Sequence, residues 1–280
     1  MSVYSHGDKA GNRADVWKHF VLLSLVRELV ERRAFLGDPI HYVESHAGAG
    51  RYPLIDGGAW EEGAGRLLAA VPEALRAHPY LRLLDAALHP EAERPAYPGS
   101  WYLVGQYLDS EVVPYTMALY ETGADGDADP GALLCAELEA GRLWPGVSVQ
   151  PRDGFAGVAG HTDAHLIFLD PAYAPRARGD WDEVGRAARC LAAAGAGFLI
   201  WYPLLAGSAG GANVDALYAS AGAACGAELQ WAPGAGVLSG CGMLGAGALA
   251  PALADYLETG AGELAALAEA LGGQMHGRAS

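Results

Sequence analysis

The sequence predicts an α/β sandwich built on an open, mostly parallel sheet, and three observations predict it. Strand-like runs alternate with helical ones along the chain. The polar motifs stand directly after strand-like runs, where open parallel sheets hold their ligands. Of 280 residues, 51% are apolar, enough to bury one large domain without disulfides or metal.

The elements follow in order. From Ala14 to Ala34 the residues Val16, Trp17, Phe20, Val21, Leu23, Leu25, Val26, Leu29 and Val30 recur at helical spacing among charged ones, predicting an amphipathic helix. Gly37-Asp38-Pro39 ends it, and Ile40–Glu44 reads as a strand entering the small-residue turn His46-Ala47-Gly48-Ala49-Gly50. Between Asp56 and Tyr107, helix-favouring runs are broken by prolines with no strand period, so 56–107 is expected to be a helical insertion. Strands resume at Tyr115–Tyr120, Val147–Gln150, His165–Leu169 and Gly197–Tyr202, with helices near 130–141, 181–194 and 212–224. Glu228–Ala232 and Gly236–Leu244 suit an antiparallel edge hairpin, and the Ala/Gly/Glu-rich tail from Ala261 is expected to fray. The expected organisation is therefore 1–55 for the first helix and strand, 56–107 for the insertion, 108–260 for the rest of the sheet domain, and 261–280 for the tail.

Charge restricts the partners. The chain carries 18 basic and 33 acidic side chains, a balance of -15, which excludes coating nucleic acid with a generally basic surface. Seven of the basic residues and six of the acidic ones fall in 1–51, leaving -16 for 52–280. Both lysines, Lys9 and Lys18, are in that first segment, so an anionic partner is expected to meet it first. Cys135, Cys190, Cys225 and Cys241 show no CxxC spacing, which predicts reduced thiols and a cytoplasmic protein. The apolar run Phe20–Val26 is far short of a bilayer span, and the histidines have no metal-ligand spacing, so neither membrane nor metal is expected.

Four motifs carry chemistry. The turn containing His46 and Gly48 lets backbone approach a ligand, or is a tight connection; it lacks the GK[ST] ending of a phosphate loop. Glu121 after its strand can take a ribose diol, and Asp153-Gly154 can accept from an adenine amine; a solvated loop acid and a turn are equally compatible. Asp170-Pro171-Ala172-Tyr173, after the buried run Leu166–Leu169, is the most informative. The lone pair of an exocyclic amine is delocalised into its ring. An Asp170 carboxylate and a Pro171 carbonyl accepting its hydrogens would localise that pair, with Tyr173 stacked on the ring.

Together with Tyr4-Ser5-His6, Ala10-Gly11-Asn12, Ala14-Asp15-Val16, Lys18-His19, Ser45–Tyr52, Tyr97-Pro98-Gly99-Ser100, Trp201-Tyr202-Pro203 and Ser239–Met243, these motifs resemble the S-adenosylmethionine-dependent 23S rRNA adenine-N6 methyltransferases of the bacterial RlmJ type. The matches run in family order over roughly 3–245. The resemblance implies a Rossmann-like class I methyltransferase fold with a seven-stranded mostly parallel sheet and a small helical insertion. It implies a cofactor site lined by His19, His46, Gly48, Ser100, Glu121, Asp153, Gly154 and Asp170. Asp170, Pro171 and Tyr173 would then be catalytic, and Tyr4, His6, Lys9, Lys18 and Tyr173 would meet the substrate. Two positions depart from the family: Ala172 replaces the second proline of the tetrapeptide, relaxing Pro171, and Glu121 is followed by Thr122-Gly123-Ala124 rather than Leu-His-Pro.

The leading expectation is an S-adenosylmethionine-dependent N6-methyltransferase acting on adenine in RNA, with rRNA as the expected substrate. The acidity and Ala172 motivate a rival, the same fold acting on a small-molecule amine. A cofactor-binding protein without catalysis is a third reading.

Overall fold

The computed structural model describes residues 9–33, 37–89, 95–122, 134, 146–173, 178–205, 208–232 and 238–279. In chain order the elements that matter are α1 (Arg13–Arg33), β1 (Ile40–Glu44), β2 (Arg51–Pro53), α2 (Ala64–Ala69), α3 (Pro79–Leu88), β3 (Ala96–Pro98), α4 (Ser100–Ser110), β4 (Tyr115–Tyr120), β5 (Val147–Gln150), α5 (Gly154–Val158), β6 (Leu166–Leu169), α6 (Arg178–Ala193), β7 (Phe198–Leu205), α7 (Ser208–Ala221), β8 (Ala224–Gln230), β9 (Leu238–Ala246), α8 (Ala250–Thr259), α9 (Ala261–Ala270) and β10 (Gln274–Ala279). The helix expected near 130–141 lies outside the described residues except for Leu134, which is helical and buried.

Eight strands form one sheet in the order β10-β8-β9-β7-β6-β1-β4-β5. From β5 to β7 neighbouring strands are parallel; β9, β8 and β10 add antiparallel pairs. Strand residues alternate between two apolar layers. Tyr42, Leu166 and Phe168 pack with α1, α3, α4, α8 and α9, while Val43, Ile167 and Leu169 pack with α5, α6 and α7. Burial on both faces explains why β6 reads as a continuous apolar run.

Asn12 caps α1, its side-chain oxygen accepting from the N–H groups of Ala14 and Asp15 at 2.7 and 3.0 Å. The helix departs from simple amphipathicity in its first half, where every residue from Ala14 to Val26 is buried. Its polar residues there have partners inside the protein. Ser24 Oγ, for example, lies 3.0 Å from His78 Nε2, and the other nitrogen of that ring accepts from the N–H of Tyr80.

Three expectations need correction. The sheet has eight strands rather than seven, because Gln274–Ala279 pairs with β8 along its whole length; the mixed run Gln-Met-His-Gly-Arg-Ala gives no strand signature until an edge is there to accept it. The β8/β9 hairpin forms but is not the edge, since β10 pairs on the outer side of β8. The tail does not fray: Leu264, Leu267, Ala268 and Leu271 form a buried stripe at helical spacing, which alanines and glycines dilute in the sequence. Also unanticipated is the ribbon of β2 and β3, three residues each, which is too short for alternation to show.

Candidate active site

Two neighbouring strands of the sheet connect in opposite directions. From β1 the chain crosses to β4 and β5 on one side, then to β6 and β7 on the other, so the strand order reverses between β1 and β6. The crevice outside the carboxyl ends at such a reversal is where open α/β sheets bind ligands. Here those ends are Glu44-Ser45-His46 and Asp170-Pro171.

The turn after β1 is held by both neighbours: Ser45 N–H donates to Phe168 O at 2.9 Å and Ala47 N–H to Tyr120 O at 3.0 Å. Gly48 has φ of 60°, and a Cβ there would meet Tyr52 Oη at 2.1 Å, so any side chain is excluded. Its N–H donates to Glu121 Oε2 at 2.9 Å, which ties the β4 end to the turn. His46 Nδ1 lies 2.7 Å from Ser45 Oγ and its ring meets Phe155 edge-on at 4.7 Å; burial lowers its pKa. Asp153 is exposed and caps α5, Oδ1 accepting from Phe155 N–H at 3.0 Å. Gly154 is required for close approach, because a Cβ would lie 1.7 Å from Ser45 O.

The ribbon of β2 and β3 brings the Tyr97–Ser100 motif to the same turn, with Gly99 N–H donating to Gly50 O at 2.6 Å. Ser100 Oγ donates to Glu44 Oε1, and Tyr42 Oη donates to Glu44 Oε2 at 2.7 Å. Glu44 is fully buried; burial, opposed by those two hydrogen bonds and reinforced by Asp170, pushes its carboxyl up to about 8. His19, 3% exposed on α1, has Nδ1 2.8 Å from Tyr97 Oη, which lies 3.2 Å from Tyr80 Oη.

Asp170 stands at the end of β6 with its Oδ2 2.7 Å from the Lys18 ammonium, which also meets Asp15 Oδ1 at 2.9 Å. Burial pulls the Lys18 ammonium down, but the two carboxylates outweigh it and hold its pKa above the ordinary value. The Asp170 side chain is 13% exposed and Lys18 is its one hydrogen-bond partner among the described residues. Its second oxygen is therefore open to a ligand.

Two assignments change. Lys18 cannot meet a phosphate at the surface, because its side chain is 5% exposed and committed to Asp15 and Asp170. Tyr173 does not stand ready to stack on a substrate ring. It is 7% exposed, packs against Trp181 and Trp201 at 4.5 and 5.7 Å, and donates from its hydroxyl to Trp201 O. Its φ of 45°, uncommon for an aromatic residue, marks a bent connection after Ala172. Pro171 is buried and Lys9 exposed; Tyr4 and His6 lie outside the described residues. The sequence reading missed Glu44, Asp15 and Tyr80. An acid closing a strand just before a glycine turn was a readable signal for Glu44, and the i,i+3 spacing to Lys18 one for Asp15; nothing local pointed to Tyr80.

Among the described residues no group of three or more His, Cys, Asp or Glu is placed to hold a metal ion, and no helix is long and apolar enough to cross a membrane. Cys190, Cys225 and Cys241 are free thiols, and Cys135 lies outside the described residues.

Comparison with known proteins places these features in context. The ribosomal RNA large subunit methyltransferase J of Haemophilus influenzae is 31% identical over 119 residues, 40% of each chain. This chain is similar to the RlmJ methyltransferases. The Escherichia coli K12 methyltransferase J is 44% identical over 54 residues, 19% of this chain and 18% of its own. The matches thus span well under half the length of these RlmJ relatives, and no family model matches the chain. A crystal structure of a Legionella pneumophila protein described under DUF519 superposes with a TM-score of 0.75 and 22% identity, covering 97% of this chain and 98% of that one. That likeness establishes the fold, a mixed α/β architecture with a large mostly parallel sheet.

Proposed function

We propose that this chain is an S-adenosylmethionine-dependent N-methyltransferase that methylates the exocyclic N6 amine of an adenine in RNA, with rRNA as the substrate that similarity to RlmJ suggests. The observation that carries the reading is Asp170: a partly exposed carboxylate at the sheet's reversal point, held on one oxygen by Lys18 and open on the other.

The residues present fit the cofactor chemically. Gly48 gives the turn its left-handed backbone and holds Glu121 through its N–H, Glu121 is a diol acceptor at the next strand end, and Asp153 keeps a second carboxylate oxygen beyond its cap. His19, His46 and Gly154 complete the set in this proposal. Ser100 enters it through Glu44, since its hydroxyl proton is already committed. When bound, S-adenosylmethionine supplies a methyl group on a positively charged sulfur, a ready electrophile that departs from a neutral thioether.

The chain's own residues do the rest. Asp170 and the Pro171 carbonyl accept the amine hydrogens and aim the nitrogen lone pair. Lys18 fixes Asp170 Oδ2, so the open oxygen has one orientation. The Asp170 carboxyl group, beside the amine, favours positive charge developing on the nitrogen. As the new N–C bond forms, Asp170 takes the proton the nitrogen gives up and passes it to solvent.

The test is methyl transfer from labelled cofactor to protein-free rRNA, to stem-loop fragments and to a metabolite extract, with a cytoplasmic rRNA target expected to label. Asp170→Ala should abolish transfer while leaving cofactor binding nearly intact. Label in a small product with RNA unlabelled would replace the substrate. Binding with no transfer to any substrate would reduce the chain to a cofactor-binding protein.

A further inference from the structure

We propose that Tyr97, backed by Tyr80, is a positioning residue that fixes His19 as the neutral imidazole protonated on Nε2. The inference rests on the proposed function in one respect, the placing of His19 in the cofactor site.

The argument is a count of hydrogens in a closed space. Tyr80, Tyr97 and His19 are 0%, 1% and 3% exposed, so water does not serve them. Burial, foremost, pushes both phenols well above their ordinary pKa, so each oxygen carries its hydrogen. Tyr80 Oη has one hydrogen-bond partner among the described residues, Tyr97 Oη at 3.2 Å. If Tyr97 donated to Tyr80, the Tyr80 hydrogen would be buried with no acceptor, and an unmet buried donor costs more than a made bond returns. Tyr80 therefore donates to Tyr97. The Tyr97 hydrogen is left to donate to His19 Nδ1, 2.8 Å away, and a nitrogen that accepts carries no proton. The neutral ring then has its hydrogen on Nε2 and is a donor there. The near-parallel packing of the two rings, 25° apart with centroids at 5.5 Å, holds the imidazole plane.

The consequence joins two parts of the fold. Tyr80 stands on α3 and Tyr97 on β3, both in the segment between β1 and β4, while His19 stands on α1. The helical segment thus sets which ring nitrogen donates, and a donating Nε2 suits an oxygen acceptor such as the carboxylate of S-adenosylmethionine.

Two readouts test this on the whole chain. Long-range nitrogen–proton NMR of histidine-labelled protein should give His19 an unprotonated Nδ1 and a protonated Nε2, with the signal assigned by its loss in His19→Gln. In Tyr97→Phe that pattern should collapse toward mixed or Nδ1-protonated forms. Binding of S-adenosylhomocysteine to Tyr97→Phe should weaken about five- to tenfold. His19→Gln, whose amide nitrogen falls near the place of Nε2, should bind tighter than His19→Asn, whose amide falls near Nδ1. Should Tyr97→Phe not fold, the wild-type spectrum and the Gln/Asn pair decide alone. A wild-type ring protonated on Nδ1, or a Tyr97→Phe spectrum identical to wild type, overturns the proposal. Wild-type protein that shows the expected tautomer but binds no S-adenosylhomocysteine overturns the cofactor reading and leaves the tautomer upheld.

Discussion

Replacing Glu44 by Gln should make the protein relatively more stable as pH rises, by an amount the structure specifies. Burial holds the Glu44 carboxyl's pKa at about 8 in the folded chain against an ordinary value of 4.5. The folded state therefore binds this proton more tightly than the unfolded state. Its stabilising effect is complete below 4.5 and is lost as pH climbs through 8. The whole span corresponds to roughly 5 kcal/mol at about 1.4 kcal/mol per unit. Gln keeps an acceptor for Ser100 or Tyr42 and has no proton to lose. Urea unfolding of both proteins from about pH 6 to 8 should show their stability difference moving about 2–3 kcal/mol in favour of Gln, since groups common to both cancel. Stability curves that run parallel over that range would refute the burial argument.

Lys18→Met removes the cation that joins Asp15 and Asp170, whose side chains are 7% and 13% exposed, and should cost about 3–5 kcal/mol. Adding Asp15→Asn should recover part of the loss in a denaturant titration; strict additivity would show that the pair is not coupled. Leu267→Ala, at a fully buried position of α9, should cost about 2–5 kcal/mol in the cooperative transition. An unchanged midpoint would mean that α9 is not part of the folding unit.

What could be read locally was read well. Ile40–Glu44 and Tyr115–Tyr120 are strands with the expected ends, and Asp170 stands at a strand end, because each depends on a few consecutive residues. Lys18 was misjudged for the opposite reason. Its partner Asp170 is 152 residues away, and nothing near Lys18 tells a surface lysine from a buried one. Tyr173 follows Asp-Pro-Ala as a stacking platform would, but the indoles of Trp181 and Trp201 pack tilted against its ring. The tail's four-residue apolar stripe gives no local signal because it is buried only once α2, α8 and β10 stand beside it.

The charge of -15 and the uneven basic segment were also legible, but their meaning changed. With Lys18 withdrawn into the interior and Arg13 paired to Glu62, the N-terminal segment offers less cation to a phosphate backbone than its composition suggests. By itself the sequence determined the α/β class, the strand ends that carry polar motifs, and the family those motifs resemble, since all three depend on local pattern. Only the tertiary structure decided that Asp15, Lys18 and Asp170 form one cluster, that Glu44 is a buried acid, and that Tyr80 reaches His19 through Tyr97. Burial and long-range pairing set the charge and proton position of such groups, and neither exists until the layers close over the sheet.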